Sequence, residues 1–234
     1  MAAAADLKFA LAEIAARFKL ASRREVKLSF GSSGNFTQQI EQGAPFELFL
    51  AADENFIFRL ADQGLTTGRG VLYAIGRIVL FVPHGSTLKA EAGWQDLKMA
   101  LADGRLKRFA IANPAHAPYG RAARAALQYA GLWPAIEPRL VFGENAAQAM
   151  QFAASGSSQG GIVPLALSKA PEVAGRGSFL AIPAAWHAGE PLRQRMVLMK
   201  GAGATARAFH DFLQQPVARE ILVRHGFMLP DENK

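Results

Sequence analysis

Two serines between two glycines, in the stretch 31–34, have residue types that suit anion binding. An alternating pattern over 26–30 predicts a strand before them, and a helical pattern over 36–42 follows. A helix start has free backbone N–H groups and the positive end of the helix dipole. Glycines let an anion approach the backbone, and serine hydroxyls add donors. The turn is a candidate anion cradle; the alternative is an ordinary turn in which Ser32 or Ser33 only caps the helix.

Two more strand-to-helix junctions share this character, at 117–120 and 143–146, and the stretch 4–6 makes a further one if a strand precedes it. Each places a helix start at the carboxyl end of a strand, the edge where open α/β sheets bind ligands. None of these turns is lined by Lys or Arg. Neutral N–H and O–H dipoles would therefore hold the anion, which favours a small, fully ionised oxyanion over a nucleotide.

Enzyme motifs and metal sites are not indicated. The stretch 31–34 matches neither the G-x-S-x-G elbow nor a Walker A loop, and the sequence has no cysteine. The five histidines lack metal-ligand spacing; His116 is the one that falls close to a candidate junction. We predict no catalytic residue, no metal ligand and no cofactor.

The composition limits which other classes of protein are possible. The chain of 234 residues is 50% hydrophobic, enough for one large domain or two lobes, and its net charge is +7. The basic residues are scattered and are not interleaved with aromatics, so nucleic acid is not an expected partner. No run of eighteen apolar residues predicts a membrane span, and no secretory signal pattern is present.

Predicted strands alternate with predicted helices, which favours an α/β fold with mainly parallel sheets flanked by helices. The run 71–82 is long for one strand and is interrupted by Gly76, as expected of a strand that crosses between two lobes. Asp6, Asp53 and Asn145 are predicted helix N-caps. The predicted helices cover 6–20, 53–63, 94–102, 118–130, 145–154, 204–213 and 216–225, and the predicted strands cover 26–30, 46–50, 109–112, 140–142, 161–163, 179–182 and 196–199.

The combined pattern resembles the molybdate-binding proteins of ABC importers, within the type II periplasmic binding proteins. The similarity covers nearly the whole chain. It is carried by the segments 2–5, 30–33, 39–41, 43–45, 48–53, 111–120, 144–146 and 226–230. The resemblance implies a two-lobed fold, with residues 1–77 and 195–234 in lobe one, residues 78–194 in lobe two, and the ligand cleft between them.

The resemblance also implies the ligand contacts. Ser33 would give its hydroxyl and N–H, Ala5 its N–H, Ala146 its N–H, and Tyr119 an N–H or its phenol. The family's other tyrosine position falls at Pro164, so Tyr119 is expected to supply the phenol; without the resemblance it could equally be a stacking residue.

Two departures from the family pattern stand out. Ala5 replaces a serine or threonine and so loses one hydroxyl contact. Asp6 stands beside it and would repel an anion if it capped the first helix. Met1 falls where the last residue of a longer first strand would be, so we expect that the chain lacks a signal peptide and most of that strand, by trimming or a misplaced start.

The function implied is capture of molybdate, and of tungstate, in the periplasm for an ABC permease and its ATPase, by a monomer that meets the membrane only through the permease. Alternatives are a binding protein for another oxyanion, such as sulfate or phosphate, and the effector-sensing domain of a regulator with the same fold. Phosphate would gain support if Asp6 pointed into the site. An enzyme on this scaffold is the third choice.

Overall fold

The computed structural model describes residues 1–230, which belong to two compact units. Unit 1 contains Met1–Gly76 together with the chain from Leu192 onward, and unit 2 contains Arg77–Pro191. Among the residues described, no helix is both long enough and apolar enough to cross a bilayer. The role of the units as ligand-binding lobes, with boundaries after 77 and 194, stays a prediction.

Unit 1 has one five-stranded sheet with helices around it. A 3-10 turn at Ala5–Leu7 joins the first strand to the first helix. Numbered along the whole chain, the strands are β1 (Ala2–Ala4), β2 (Ser29–Gly31), β3 (Leu48–Ala51), β4 (Val71–Ile75) and β10 (Arg193–Leu198), and the helices are α1 (Lys8–Ser22), α2 (Ser33–Glu41), α3 (Glu54–Asp62), α10 (Ala204–Phe212) and α11 (Pro216–Arg224).

Unit 2 has the same kind of architecture. Its strands are β5 (Ile78–Pro83), β6 (Phe109–Ala112), β7 (Leu140–Gly143), β8 (Gly161–Pro164) and β9 (Gly177–Ala181). Its helices are α4 (Gln95–Ala102), α5 (Pro118–Tyr129), α6 (Trp133–Ile136), α7 (Ala146–Ala154), α8 (Leu165–Ser168) and α9 (Pro171–Ala174).

One strand in each sheet runs against the other four. The strand orders are β2-β1-β3-β10-β4 and β7-β6-β8-β5-β9. β10 is antiparallel to both β3 and β4, and β5 is antiparallel to both β8 and β9, while the remaining pairs are parallel. The carboxyl ends of four strands therefore meet at one edge of each sheet, as the predicted α/β fold requires.

The reversed strands are those that the chain enters when it passes from one unit to the other. The apolar run 71–82 is not one strand, because it divides into β4 and β5 in different sheets, with Gly76 and Arg77 between them. The Gly76 N–H donates to the Leu192 carbonyl (2.8 Å), so the outgoing and returning segments are hydrogen-bonded to each other.

Two local predictions were wrong and two caps are confirmed. β2 overlaps the predicted strand 26–30 only at residues 29 and 30 and continues to Gly31, and the first α-helix begins at Lys8 without a side-chain cap from Asp6. Asp53 caps α3 by accepting the Asn55 N–H, and Asn145 caps α7. The caps at Asp53 and Asn145 use N–H groups two or three residues away, so sequence alone could indicate them. Strand length and the contact of Asp6 depend on distant neighbours that a local pattern does not show.

The core of unit 1 forms because apolar faces of helices meet fully buried strands. All four residues of β3 are buried, and α2 and α3 pack Phe36 and Ile57 against the same cluster as Phe49. On α1, Phe18 meets the rings of Phe209 and Phe212 edge-on, at centroid distances of 5.1 and 5.5 Å.

Gly120 offers a test of the packing that positions the α5 start. A Cβ at this residue would lie 2.2 Å from the Ala112 carbonyl oxygen at the end of β6. Helix propensity alone predicts that Gly120→Ala stabilises the protein by about 1 kcal/mol. We expect the opposite, a loss of about 1–3 kcal/mol from overpacking, measured by chemical denaturation.

Gly175→Ala is the matched control, because a Cβ added at Gly175 would have nothing within 4 Å and its φ is −86°. It should leave the denaturation midpoint nearly unchanged. A Gly120→Ala protein as stable as this control would contradict the close approach of α5 to β6.

Candidate functional site

The start of α2 is capped by Ser32 rather than by Ser33. The Ser32 Oγ accepts the Asn35 N–H (3.3 Å), and the helix begins at Ser33. The first N–H groups of an α-helix have no intrahelical acceptor, and this cap uses the third. The N–H groups of Ser33 and Gly34 are therefore the donors that the helix start presents.

The Ser33 side chain is held in a fixed position at the same edge. Ser33 is 1% exposed, and its Oγ accepts the Ala52 N–H at 2.9 Å, just beyond the end of β3. That bond uses a lone pair and leaves the hydroxyl hydrogen for another acceptor. Ser33 can thus donate through both its N–H and its O–H.

Ala5 lies beside this helix start. The register pairs Ala4 of β1 with Gly31 of β2, so the residues that follow these strands, Ala5 and Ser32, lie next to each other. Ala5 is 3% exposed and opens the 3-10 turn, whose start has no side-chain cap. Its side chain is a methyl group, so the backbone N–H is the donor it can give.

Asp6 does not cap the helix but belongs to a buried hydrogen-bonded chain. The Gln194 Nε2 donates to Asp6 Oδ2 (2.5 Å), and the Tyr73 hydroxyl donates to Gln194 Oε1 (2.8 Å). Burial, and then the nearby Asp6 carboxylate, hold the pKa of Tyr73 well above its ordinary value. The phenol therefore stays protonated and remains a donor. We define these three residues as the Asp6 chain.

In unit 2, the Asn145 cap selects one N–H at the start of α7. Its Oδ1 accepts from both Ala147 (3.0 Å) and Gln148 (3.1 Å), the second and third residues of the helix. The first residue, Ala146, is 5% exposed and keeps its N–H outside the cap. Ala146 is the residue to which the family resemblance assigns a backbone donor.

Tyr119 is buried at the neighbouring junction. It is 3% exposed and is the second residue of α5, after Pro118, which has no N–H. The register pairs Ala112 of β6 with Gly143 of β7, so the α5 and α7 starts follow adjacent strands. Pro164, at the end of β8, carries no hydroxyl.

The arginines at the unit 1 edge already have a carboxylate partner. Arg193 Nε lies 2.5 Å from Glu54 Oε1, and Arg195 Nη2 lies 2.8 Å from Glu54 Oε2. Burial works to raise the pKa of Glu54, but its hydrogen bonds to both arginines outweigh this and lower it. The two guanidinium groups are therefore partly neutralised, and the donors on the adjacent strands are uncharged.

The uncharged donors at these helix starts suit an anion. Within residues 1–230, no three His, Asp or Glu side chains are placed to share a metal ion. The structure brings Ala5 next to the start of α2 in unit 1, and the junctions of Tyr119 and Ala146 together in unit 2. That all four residues share one ligand stays a prediction.

Gln194 and Tyr73 were missed in the sequence. Gln194 precedes the apolar run 196–199, so its pattern is that of a residue outside the strand, and only the register of β10 places it in the core at 0% exposure. The one signal for Gln194 in the sequence was a polar residue just before an apolar strand.

Comparisons with known proteins agree with this fold. A family model described as bacterial extracellular solute-binding protein matches residues 1–228. The chain is 36% identical to the molybdate-binding protein ModA of Rhodobacter capsulatus, covering 97% of this chain and 86% of the relative. It is 37% identical to ModA of Azotobacter vinelandii, covering 98% and 89%. A solved structure of the periplasmic molybdate-binding protein of Azotobacter vinelandii superposes with a TM-score of 0.87, covering 98% of each chain at 30% identity.

The pairing of Glu54 with two arginines predicts a pH-dependent contribution to stability. Because the folded-state pKa of Glu54 is lowered from its ordinary value of 4.5, its contribution is complete above that value. It is lost as the pH falls through the lowered value. We expect Glu54→Gln to reduce the melting temperature at pH 7, and the gap to wild type to close in acid; a gap that stays constant with pH would contradict the ion pairing.

Proposed function

The chain belongs to the bacterial extracellular solute-binding proteins, in the group of the ModA molybdate-binding proteins, and from this we propose that it captures molybdate. Tungstate, a tetrahedral dianion of similar size, is proposed as a second ligand. The ligand would be held between the two units and would favour a closed form by contacting both.

Four residues are proposed as its contacts. In unit 1, Ser33 would donate its N–H and hydroxyl, and Ala5 its N–H. In unit 2, Ala146 would donate its N–H, and Tyr119 its phenol or its N–H. The observation that carries the proposal is the fixed Ser33 hydroxyl beside a capped helix start, with its hydrogen left for a ligand.

Uncharged donors suit a fully ionised oxyanion. Such donors do not require a proton on the ligand, whereas phosphate is protonated near neutral pH and needs an acceptor in its site. Asp6 was the acidic candidate for that acceptor, and its carboxylate accepts from Gln194 in the core. Phosphate therefore stays among the alternative ligands. Sulfate, also a tetrahedral dianion, is the competing ligand, and cavity size would have to separate it from molybdate.

The proposed role is transport. A binding protein releases its ligand unchanged, so we propose no catalytic residue, no cofactor and no resident metal ion. The proposed partners are an ABC permease and its ATPase, the proposed location is the periplasm, and the proposed working form is a monomer. The alternative from another functional class is the effector-sensing domain of a regulator, which would bind the same ligand.

The test is calorimetric titration of the purified chain with molybdate, sulfate and phosphate in parallel. We expect one-to-one binding of molybdate that is tighter than that of the other two anions. Ser33→Ala removes a hydrogen bond to a charged ligand, worth about 1.5–3 kcal/mol. Its affinity should fall by about tenfold to a hundredfold.

Ser178→Ala, on the exposed face of β9, is the matched control and should bind as wild type does. Preferential binding of sulfate would contradict the proposal that molybdate is the ligand, but it would be consistent with the fold. Equal affinities of the Ser33→Ala and Ser178→Ala proteins would show that Ser33 does not contact the ligand.

Ala5→Ser tests the departure at the first junction. A hydroxyl there adds a donor next to the start of α2, and we expect molybdate affinity to rise by about tenfold if one hydrogen bond to the charged ligand forms. Titration of this variant against wild type measures the change. Unchanged or weaker binding would show that Ala5 does not face the oxyanion.

A further inference from the structure

The turn before α7 is hydrogen-bonded to a side chain from the first turn of that helix. Gln148 is the third residue of α7, and its Oε1 accepts the Glu144 N–H at 2.7 Å. The arrangement is similar to a capping box, in which a Gln or Glu at the third helical position reaches back to the backbone at the helix start. Gln148 therefore fixes the backbone of the residue that precedes the Asn145 cap.

Two side chains divide the N–H groups around this helix start. Asn145 Oδ1 accepts from Ala147 and Gln148, the second and third residues of the helix. Gln148 Oε1 accepts from Glu144, which lies before the helix. The N–H groups of Asn145 and Ala146 lie between these and take no part in either interaction. The donor proposed for the oxyanion is thus flanked on both sides by hydrogen bonds.

The end of β7 is fixed by contacts of its own. The Gly143 carbonyl accepts the Asn113 N–H (2.8 Å), which follows β6. A Cβ added at Gly143 would lie 2.4 Å from the Ala149 nitrogen, so the backbones of β7 and α7 approach closely. A change in the turn would therefore fall on residues 144–146, the segment that the Gln148 side chain connects to the helix.

We propose that Gln148 is a positioning residue for the oxyanion, which acts through the Glu144 backbone to orient the Ala146 N–H. The inference rests on the proposed function, because that function assigns the Ala146 N–H to the ligand. Gln148 is exposed and is given no contact with the ligand itself. Hydrogen bonds weaken steeply as the donor turns away from its acceptor. A donor that is held in place before binding also loses less conformational freedom when the ligand arrives.

A purely structural role is the competing explanation, since a capping interaction stabilises a helix whether or not a ligand is bound. The two roles change different quantities. Loss of a cap lowers the free energy of unfolding but leaves the affinity of the folded protein unchanged. A donor that is wrongly oriented lowers the affinity even when the protein is fully folded.

The test is calorimetric titration with molybdate of Gln148→Met, which keeps the length of the side chain and removes the acceptor. Gln151→Met is the matched control, because Gln151 is exposed on the same helix but lies further from residues 144–146. We expect the affinity of Gln148→Met to fall by about two- to tenfold, as for the loss of one hydrogen bond between uncharged groups. Gln151→Met should bind as wild type does.

Gln148→Glu is the conservative variant that should restore binding, because its carboxylate can also accept the Glu144 N–H. The titration is done at high salt, where the added negative charge is screened from the dianion. Its affinity should then return close to that of wild type in the same buffer. Chemical denaturation of each variant without ligand measures any structural effect separately and shows that each protein is folded.

Equal molybdate affinities of Gln148→Met and Gln151→Met, with wild type binding, would overturn this inference and leave the proposed function standing. A loss in Gln148→Met that Gln148→Glu does not restore at high salt would overturn it too, since the missing acceptor would not be the cause. If no protein binds molybdate, wild type included, the proposed function fails and this inference fails with it.

Discussion

Strand direction is the constraint on which the candidate site depends. In each sheet four strands point the same way, so their carboxyl ends meet at one edge. Every helix that follows such a strand starts at that edge with N–H groups that the helix itself cannot satisfy. The same rule operates in both units, and it produces two sets of backbone donors without requiring any cationic side chain.

The helix caps then decide which donors remain. Ser32 and Asn145 satisfy N–H groups further into their helices, at Asn35 and at Ala147 and Gln148. What is left lies at the first helical residues, Ser33 and Ala146. A cap is usually considered a stabilising device worth about 1 kcal/mol; here it also selects the positions where a ligand could be bound. Glu54 limits the charge at the edge of unit 1 in a similar way, because its carboxylate pairs with both Arg193 and Arg195.

The sequence was informative where structure is local and uninformative where it depends on partners. The strand–turn–helix junctions, the caps at Asp53 and Asn145, and the fold class all followed from short-range pattern and resemblance. The split of 71–82 into two strands did not, because only sheet membership separates β4 from β5. Asp6 looked like an N-cap by position, and its real partner, Gln194, lies 188 residues further along the chain. No periodicity encodes a contact of that separation.

The central proposal is that uncharged donors from both units hold one oxyanion, and a crystal structure with bound tungstate would test it most directly. Anomalous scattering locates the metal independently of the protein atoms. We predict one strong peak whose oxyanion oxygens lie about 2.7–3.2 Å from the Ser33 hydroxyl and from the N–H groups of Ala5 and Ala146. An oxyanion bound instead by the guanidinium groups of Arg193 or Arg195 would contradict the account.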